Sequence, residues 1–226
     1  MLVVLLVGVV GVQSFLTPAR AALHGAAAPG GRSLSPRRAS ASSPRMAQYD
    51  PLVRIGHGYD IHALASMEEA GQPLVIGGVS FDGSDAPAYE KGCVAHSDGD
   101  VIYHSVVDAI LGALSMPDIG QLFPDNDPRL KGSDSEIFME EAYKRMSERG
   151  YAIGNCDVTL ILQRPKVNIE HNGKHVKDTM TANCVRLLRT SPGQVNVKAR
   201  THEKLDSVGE SRAVECHVVL TLERQQ

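Results

Sequence analysis

Two short groups of residues in this chain of 226 could bind a metal ion together. Asp60 and His62 are two positions apart, so on a β-strand their side chains point to the same side. Asp100, His104 and Asp108 follow at intervals of four, which places them on one stripe of a helix. Asp60, His62 and His104 offer a carboxylate and two imidazoles, which suits zinc and leaves a fourth position open for substrate or water. That number of protein ligands is typical of a catalytic site.

Each group also has an ordinary interpretation. An Asp-x-His triplet can be a surface pair at the end of a strand, and a polar stripe is commonly the solvated side of a helix. In the metal interpretation, Asp100 and Asp108 are outer carboxylates that orient the imidazole of His104. The prediction of a metal site therefore depends on combining the two groups.

Other polar segments could bind a phosphorylated ligand. An acidic loop with Gly and Pro covers residues 118–120 and 123–128, although an ordinary turn has the same composition. Gln163–Lys166 follows a predicted strand, where a basic side chain could meet an anion or simply be solvated. The end of the next strand carries a similar group, Arg200, Thr201, Glu203 and Lys204. An acid among these bases favours a second divalent cation between phosphates.

Hydrophobic periodicity predicts the elements that must hold these residues. Alternation predicts strands at 52–62, 156–162, 195–201 and 214–222, and an extended piece at 73–81 with a Gly77-Gly78 turn. A helical period predicts helices at 97–114, at 133–149 after a Ser-x-x-Glu capping box, and at 176–188. This order predicts an α/β sandwich, with a single sheet and helices on one face.

The N-terminal segment differs from the rest of the chain. Residues 1–49 contain five arginines and no acid, so they carry +5, and the remaining 18 bases and 26 acids carry −8. An apolar run at 2–12 is shorter than the ~20 residues that span a bilayer, and residues 17–48 have the composition of an organelle transit peptide. We therefore predict a bipartite plastid presequence over 1–48, without a packed core or a stable membrane anchor, and an enzyme domain over 49–226. Secretion alone is the alternative.

Charge and cysteine content exclude some classes of protein. The net charge of −3 argues against a general nucleic-acid binder, because such a protein needs a strongly basic surface. The four cysteines are widely spaced, without a CxxC pair, so they do not form a disulfide framework. A reducing final compartment such as a plastid stroma fits this pattern.

Several long blocks in order resemble one family, the 2-C-methyl-D-erythritol 2,4-cyclodiphosphate synthases of the non-mevalonate isoprenoid pathway. The resemblance covers 54–222. The blocks that carry it are Arg-Ile-Gly-His-Gly-Tyr-Asp-Ile-His at 54–62, Ala-His-Ser-Asp-Gly-Asp at 95–100, Asp-Ile-Gly-Gln-Leu-Phe-Pro-Asp at 118–125 and Val-Asn-Val-Lys-Ala at 195–199. It implies a ferredoxin-like α/β fold, a homotrimer with sites between subunits, and cyclisation of a cytidine diphosphate substrate with release of CMP.

The resemblance also implies roles for individual residues. Zinc would be held by Asp60, His62 and His104, with the substrate diphosphate as fourth ligand, and Glu203 would hold Mg²⁺ or Mn²⁺. His96 and Thr201 match the positions that stabilise the transition state. The residues that would contact the methylerythritol phosphate are Ser97, Asp118, Ile119, Gly120, Phe123, Asp125 and Asp127. Leu162, Arg164, Pro165 and Lys166 belong to the segment that would hold the cytidine diphosphate, and the remaining substrate-binding residues would be Arg200 and His202.

This chain also departs from the family pattern. Asp82–Ala88 lengthens the loop before Tyr89 relative to bacterial relatives, and 167–173 lacks a common proline. Two other classes of protein would use similar residues. A zinc phosphohydrolase would release phosphate instead of a cyclic product, and a non-enzymatic metal-binding or assembly protein would bind zinc without releasing CMP.

Overall fold

The computed structural model describes residues 50–124, 126, 130 and 132–226. The predicted presequence and the predicted phosphate contacts Asp125 and Asp127 lie outside the described residues. The strands are β1 Val53–Ser66, β2 Val75–Ile76, β3 Val79–Ser80, β4 Lys91–Val94, β5 Tyr151–Ile161, β6 Glu170–His171, β7 Lys174–His175, β8 Val195–Arg200 and β9 Ala213–Arg224. The α-helices are α1 Met67–Ala70, α2 Val101–Ala113, α3 Ile119–Leu122, α4 Glu136–Glu148, α5 Val176–Leu188 and α6 Asp206–Gly209.

Five strands form the main sheet, in the order β4-β1-β9-β5-β8. The β5–β8 pair is parallel, and the other pairs are antiparallel, so the sheet is mixed. Its register aligns Ile61 with Glu215, Glu215 with Ile161, and Ile161 with Arg200 in one row across four strands. Ile61 of β1, Ile161 of β5 and Arg200 of β8 therefore lie at the same end of the sheet.

One face of the sheet packs against helices, and the other leaves large apolar side chains exposed in the described part of the chain. Leu64 and Val218 belong to the core that the sheet shares with α2, α4 and α5. Along β1 the side-chain direction alternates, so odd-numbered residues point away from this core. Several large apolar side chains remain exposed on what we call the open face: Val53, Ile55, Tyr59, Ile61 and Val219. None of the described helices is long and apolar enough to cross a membrane.

Two glycines of β1 allow the sheet to approach α2 closely. A Cβ at Gly56 would lie 1.8 Å from the carbonyl oxygen of Ala109, and one at Gly58 would lie 1.8 Å from that of Ser105. Since a Cβ cannot occupy such a position, only glycine lets strand and helix backbones touch here. This close approach brings Asp60 and His62, a few residues further along β1, next to the first turns of α2.

The predicted α/β class, with one main mixed sheet and helices packed on it, is confirmed. The predicted helix at 97–114 begins only at Val101, because Asp100 is its N-cap. The predicted capping box was wrong: α4 begins after Ser135, and the hydroxyl of Ser135 makes no capping hydrogen bond. The extended piece at 73–81 is a hairpin of β2 and β3, and β4 was not predicted.

Candidate active site

Asp60, His62 and His104 form one compact cluster where β1 meets α2. Nε2 of His62 lies 3.1 Å from Nδ1 of His104. Oδ2 of Asp60 lies 2.9 Å from the first of these nitrogens and 3.0 Å from the second. Burial works to raise the pKa of the Asp60 carboxyl, but hydrogen bonds from His104 and His62 outweigh it and hold that pKa well below its ordinary value. The carboxylate is therefore ionised and available to a cation at neutral pH.

The geometry of this cluster fits a tetrahedral metal ion. Ligand bonds of about 2.0–2.1 Å in a tetrahedron place the ligand atoms about 3.3 Å apart. The three observed separations, between 2.9 and 3.1 Å, are only slightly shorter. Two nitrogens and a carboxylate oxygen converge on one point, and no other set of three such residues does so in the described part of the chain. The residues present therefore fit a divalent cation with one coordination position left over.

Asp100 holds the start of α2, and among the described residues its carboxylate makes no hydrogen bond to the ring of His104. Its carboxylate caps the helix by accepting from the backbone N–H groups of Ile102 and Tyr103. It also accepts from Gly77 at 2.9 Å and Gly78 at 2.7 Å, which ties the β2–β3 turn to the helix. Burial, followed by the charge of Asp98, raises the pKa of Asp100 to about 6. Asp100 thus fixes the position of the helix that carries His104.

The ring of His104 is oriented by Ser135 and Asp98, which the sequence did not single out for this purpose. Nε2 of His104 lies 2.9 Å from Oγ of Ser135, and Oγ of Ser97 lies 3.3 Å from the same nitrogen. Ser135 is fully buried and donates its hydroxyl to Asp98, which also accepts from the Ser135 backbone N–H at 3.0 Å. Because Nε2 of His104 is engaged by the Ser135 hydroxyl, Nδ1 is the nitrogen that faces the cluster, and its lone pair becomes available to a metal ion when the proton it shares with Asp60 is lost.

We expect Ser135→Ala to weaken metal binding by about 10- to 100-fold. Without the Ser135 hydroxyl, the imidazole of His104 is no longer held in the orientation that binds the metal. The measurement is competition with a chromogenic zinc chelator. Ser147→Ala, an exposed serine of α4, is the matched control and should bind like the parent. Equal affinity in Ser135→Ala and the control would contradict the orienting role of Ser135.

The cluster opens into a cavity of about 560 Å³. Its wall contains these predicted substrate and catalytic residues: His96, Ser97, Ile119, Gly120 and Phe123. Nε2 of His96 is buried and has no hydrogen-bond partner among the described residues. A buried polar nitrogen without a partner is costly, so this nitrogen is suited to meet a polar group of a ligand.

The segment that begins at Asp118 borders this cavity through Ile119 and Gly120. Asp118 caps α3 by accepting from the backbone N–H of Gln121, and hydrogen bonds from Gln121 lower the pKa of its carboxyl. Oδ1 of Asp108 accepts from the backbone N–H of Ile119 at 2.8 Å. Asp108 therefore anchors this loop to α2 and is not hydrogen-bonded to His104 in the described structure.

The predicted nucleotide residues line a second cavity, of about 330 Å³, at the ends of β5 and β8. Its walls contain Leu162, Gln163, Pro165, Lys166, Arg200 and Thr201. Arg164 instead lines a neighbouring cavity with Tyr89. His202 pairs with Asp206 at 3.0 Å, and the exposed Glu203 has a left-handed backbone with φ of 53°. The residues of this second cavity therefore lie together, apart from the metal cluster, whereas Arg164, His202 and Glu203 are not part of its lining.

The two cavities of one chain have no lining residue in common. β1 and β8 are separated by β9 and β5, which corresponds to roughly 14 Å across three strand spacings. Both cavities nevertheless lie at the same end of the sheet, because Ile61 and Arg200 belong to one row of paired residues across it. One chain therefore carries two partial sites side by side.

The mixed sheet and the Asp/His/His cluster in a cavity define an α/β protein with a candidate metal site, and three protein ligands are the number typical of a catalytic metal centre. The chain belongs to the YgbB family, whose sequence profile matches residues 53–223.

Named relatives agree with this assignment. The chain is 48% identical over 220 residues to the chloroplastic 2-C-methyl-D-erythritol 2,4-cyclodiphosphate synthase of Oryza sativa, covering 92% of each chain. It is 52% identical over 169 residues to the enzyme of that name from Arabidopsis thaliana, covering 75% of this chain and 66% of the relative. Among solved structures, the IspF–CDP complex of Plasmodium falciparum matches with a TM-score of 0.63 and 37% identity, over 77% of this chain and 97% of that one.

Proposed function

We propose that the chain converts 4-diphosphocytidyl-2-C-methyl-D-erythritol 2-phosphate into 2-C-methyl-D-erythritol 2,4-cyclodiphosphate and CMP, in non-mevalonate isoprenoid biosynthesis. In this reaction an oxygen of the 2-phosphate bonds to the β-phosphorus, and the bond from that phosphorus to the CMP oxygen breaks. The observation that carries the proposal is the meeting, in one cavity, of the Asp60–His62–His104 cluster with the unpartnered nitrogen of His96. The named relatives supply the substrate class.

Asp60, His62 and His104 would hold Zn²⁺, and Glu203 would hold Mg²⁺ or Mn²⁺. Bound divalent cations supply positive charge that offsets the negative charge of phosphates brought together. Zinc is favoured at the cluster because its donors are two imidazole nitrogens and one carboxylate oxygen. Glu203 offers only oxygen, which suits the harder cation.

The remaining residues position the substrate rather than react with it. His96 donates from Nε2 to a phosphate oxygen, and Ser97 faces the same space. Asp118 and Gly120 hold the erythritol end at the cavity mouth, and Lys166 meets the diphosphate of the nucleotide. Holding the attacking phosphate against the β-phosphorus can reach effective molarities of about 10⁵ M, which exceeds competing water at ~55 M. No side chain needs to act as a nucleophile.

The two partial sites would be completed by neighbouring subunits of a homotrimer. The metal cluster and Thr201 should both contact one diphosphate, yet they lie in separate cavities of a single chain. A second copy can place the cavity at the end of its β8 against the metal cluster of the first. The open face supports such an assembly, because the side chain of Ile55 is 72% exposed and that of Val219 is 49% exposed.

The experiment that tests the reaction is incubation of the purified chain with the cytidine diphosphate substrate, Zn²⁺ and Mg²⁺, followed by phosphorus NMR. We expect a cyclic diphosphate and CMP in equal amounts. Mainly linear phosphate products would instead support a zinc phosphohydrolase. Zinc binding without CMP release would support a non-enzymatic metal-binding protein.

A hydrogen bond joins the two segments that line the nucleotide cavity. The side-chain oxygen of Gln163 accepts from the backbone N–H of Lys204 at 3.2 Å. Lys204 and its neighbour Glu203 both have positive φ, so this strained turn needs a stabilising contact from another segment of the chain. Loss of such a bond costs about 1 kcal/mol, or about fivefold in affinity.

We therefore expect Gln163→Leu to raise KM about fivefold and to leave kcat within about twofold. Gln163→Glu is the control, because its carboxylate can still accept from Lys204. Steady-state kinetics and calorimetric titration with CDP provide the measurements. If Gln163→Leu matched the parent in both KM and CDP affinity, Gln163 would have no role in shaping this cavity.

We further propose that the chain acts in a plastid and that residues 1–48 are its bipartite presequence. The plant relatives are named chloroplastic, and the segment has the composition of a transit peptide. Deletion of residues 1–48 should leave turnover and unfolding midpoint nearly unchanged and should leave the protein in the cytosol of the cell. Fluorescence microscopy of tagged chains measures this. Unaltered location after deletion would refute the presequence.

A further inference from the structure

The loop at 82–88 contacts the short hairpin that β6 and β7 form. Nε2 of His171 lies 3.1 Å from the carbonyl oxygen of Gly83, which can only accept, so the imidazole donates here. The side-chain amide of Asn172 donates to the carbonyl oxygen of Ser84 at 3.1 Å. The two residues of each pair are 88 positions apart, so tertiary structure alone joins these two segments, both of which depart from the family pattern.

The hairpin needs such a contact because it is small. β6 and β7 have two residues each and form a two-stranded sheet of their own. Asn172 and Gly173 connect them with φ of 50° and 75°, in the two-residue turn that an Asn-Gly sequence favours. A two-stranded hairpin by itself is only marginally stable in water, so its position depends on the segments packed against it.

The loop has a defined shape of its own. The backbone N–H of Ala86 donates to the carbonyl oxygen of Ser80 at 3.1 Å, and that of Gly83 donates to Ala86 at 3.1 Å. The backbone N–H of Tyr89 donates to the carbonyl oxygen of Phe81 at 2.9 Å and closes the loop. Ala86 and Phe81 are buried. The loop therefore presents its carbonyl groups to the hairpin from a fixed position.

The hairpin continues directly from the wall of the nucleotide cavity. Val167 and Asn168 line that cavity, and β6 begins two residues later. The carbonyl oxygen of Val167 accepts from the backbone N–H of Lys177 at 3.2 Å, and that of Ile169 accepts from Val176 at 2.9 Å. A displaced hairpin would therefore move residues that form the cavity wall.

We infer that the loop at 82–88 is a positioning element for the nucleotide, because its hold on His171 and Asn172 keeps Lys166 and Val167 in place at the cavity wall. The inference rests on the proposed function, since cytidine diphosphate is the ligand proposed for this cavity. Without the loop contact, the hairpin must become ordered when the nucleotide binds, and that ordering costs affinity. The chemical step should not change, because neither hairpin residue lines the cavity of the metal cluster.

The test combines His171→Ala with Asn172→Gly, which removes both donors and keeps a residue pair that favours the same turn. The dissociation constant for CDP, from calorimetric titration, and KM should each rise about fivefold, which corresponds to the loss of two weak hydrogen bonds. The value of kcat should stay within about twofold. In the ligand-free protein, amide hydrogen exchange over 167–173 should become faster.

His175→Ala is the matched control, because it removes an exposed imidazole from β7 of the same hairpin, and it should bind CDP like the parent. Deletion of residues 83–86 should reproduce the loss, and adding the double variant to this deletion should lower CDP affinity no further, because both act through one contact. Equal CDP affinity in the parent and the double variant would overturn the positioning role, while CMP release by the parent would still support the proposed function. A parent that neither bound CDP nor released CMP would contradict the proposed function and this inference with it.

Discussion

His104→Ala should purify with almost no zinc and lose more than about 100-fold in turnover, while the chain remains folded. Losing an outer hydrogen-bond partner already costs about 10- to 100-fold in metal affinity, so losing one of three direct ligands must cost more. The fold should survive, because α2 is anchored by ten other buried residues, among them Ile102, Val106 and Ile110. Zinc content by mass spectrometry and CMP release measure the two effects.

The matched control for this variant is His175→Ala, which removes an exposed imidazole far along the chain. It should keep both zinc and turnover. Asp108→Asn should be milder than His104→Ala, because Asp108 holds the loop at Ile119 and contributes no ligand to the cluster. Full zinc occupancy in His104→Ala would remove His104 from the set of ligands.

The spacing of Asp100, His104 and Asp108 predicted part of this site and misplaced another part. Spacing of four correctly placed His104 on a helix, α2, because helix geometry is local, and the structure brings it beside Asp60 and His62. The same spacing suggested that Asp100 supports His104, but a stripe assumes that every member lies inside the helix. Asp100 is the N-cap, so its carboxylate turns back onto the first backbone N–H groups.

Ser135 and Asp98 could not be found in the same way. They are 37 positions apart, and Ser135 is 31 positions from His104, so tertiary packing alone brings the three together. Within the sequence, Ser135 had the ordinary appearance of a residue near the start of a helix. A buried serine without a capping bond is informative only after its surroundings are known.

Hydrophobic periodicity could not predict the order of the strands in the main sheet either. Alternation identified β5, β8 and β9, but β9 is last in the chain and lies between β1 and β5. That placement depends on long-range burial, which no local pattern encodes. It separates the metal cluster from Arg200 and Thr201 by three strand spacings, and so produces two partial sites in one chain.

Gly58→Ala should destabilise the folded chain by roughly 3 kcal/mol or more. The added Cβ would lie 1.8 Å from the carbonyl oxygen of Ser105 and 2.9 Å from the backbone nitrogen of Ala109. Both are backbone atoms of α2, so the clash cannot be relieved by rotation of a side chain. Strand and helix must separate, which also pulls Asp60 and His62 away from His104. The urea midpoint of unfolding measures the loss.

Gly112→Ala tests whether the effect arises from the contact rather than from loss of a glycine. Gly112 belongs to the same helix, but a Cβ there would meet its nearest neighbour, the carbonyl oxygen of His57, at an ordinary 3.9 Å. Alanine favours a helix over glycine by up to about 1 kcal/mol, so this variant should be neutral or slightly more stable. A Gly58→Ala midpoint equal to that of Gly112→Ala would mean that β1 and α2 can separate at no cost. The close approach of their backbones would then not be what positions the metal ligands.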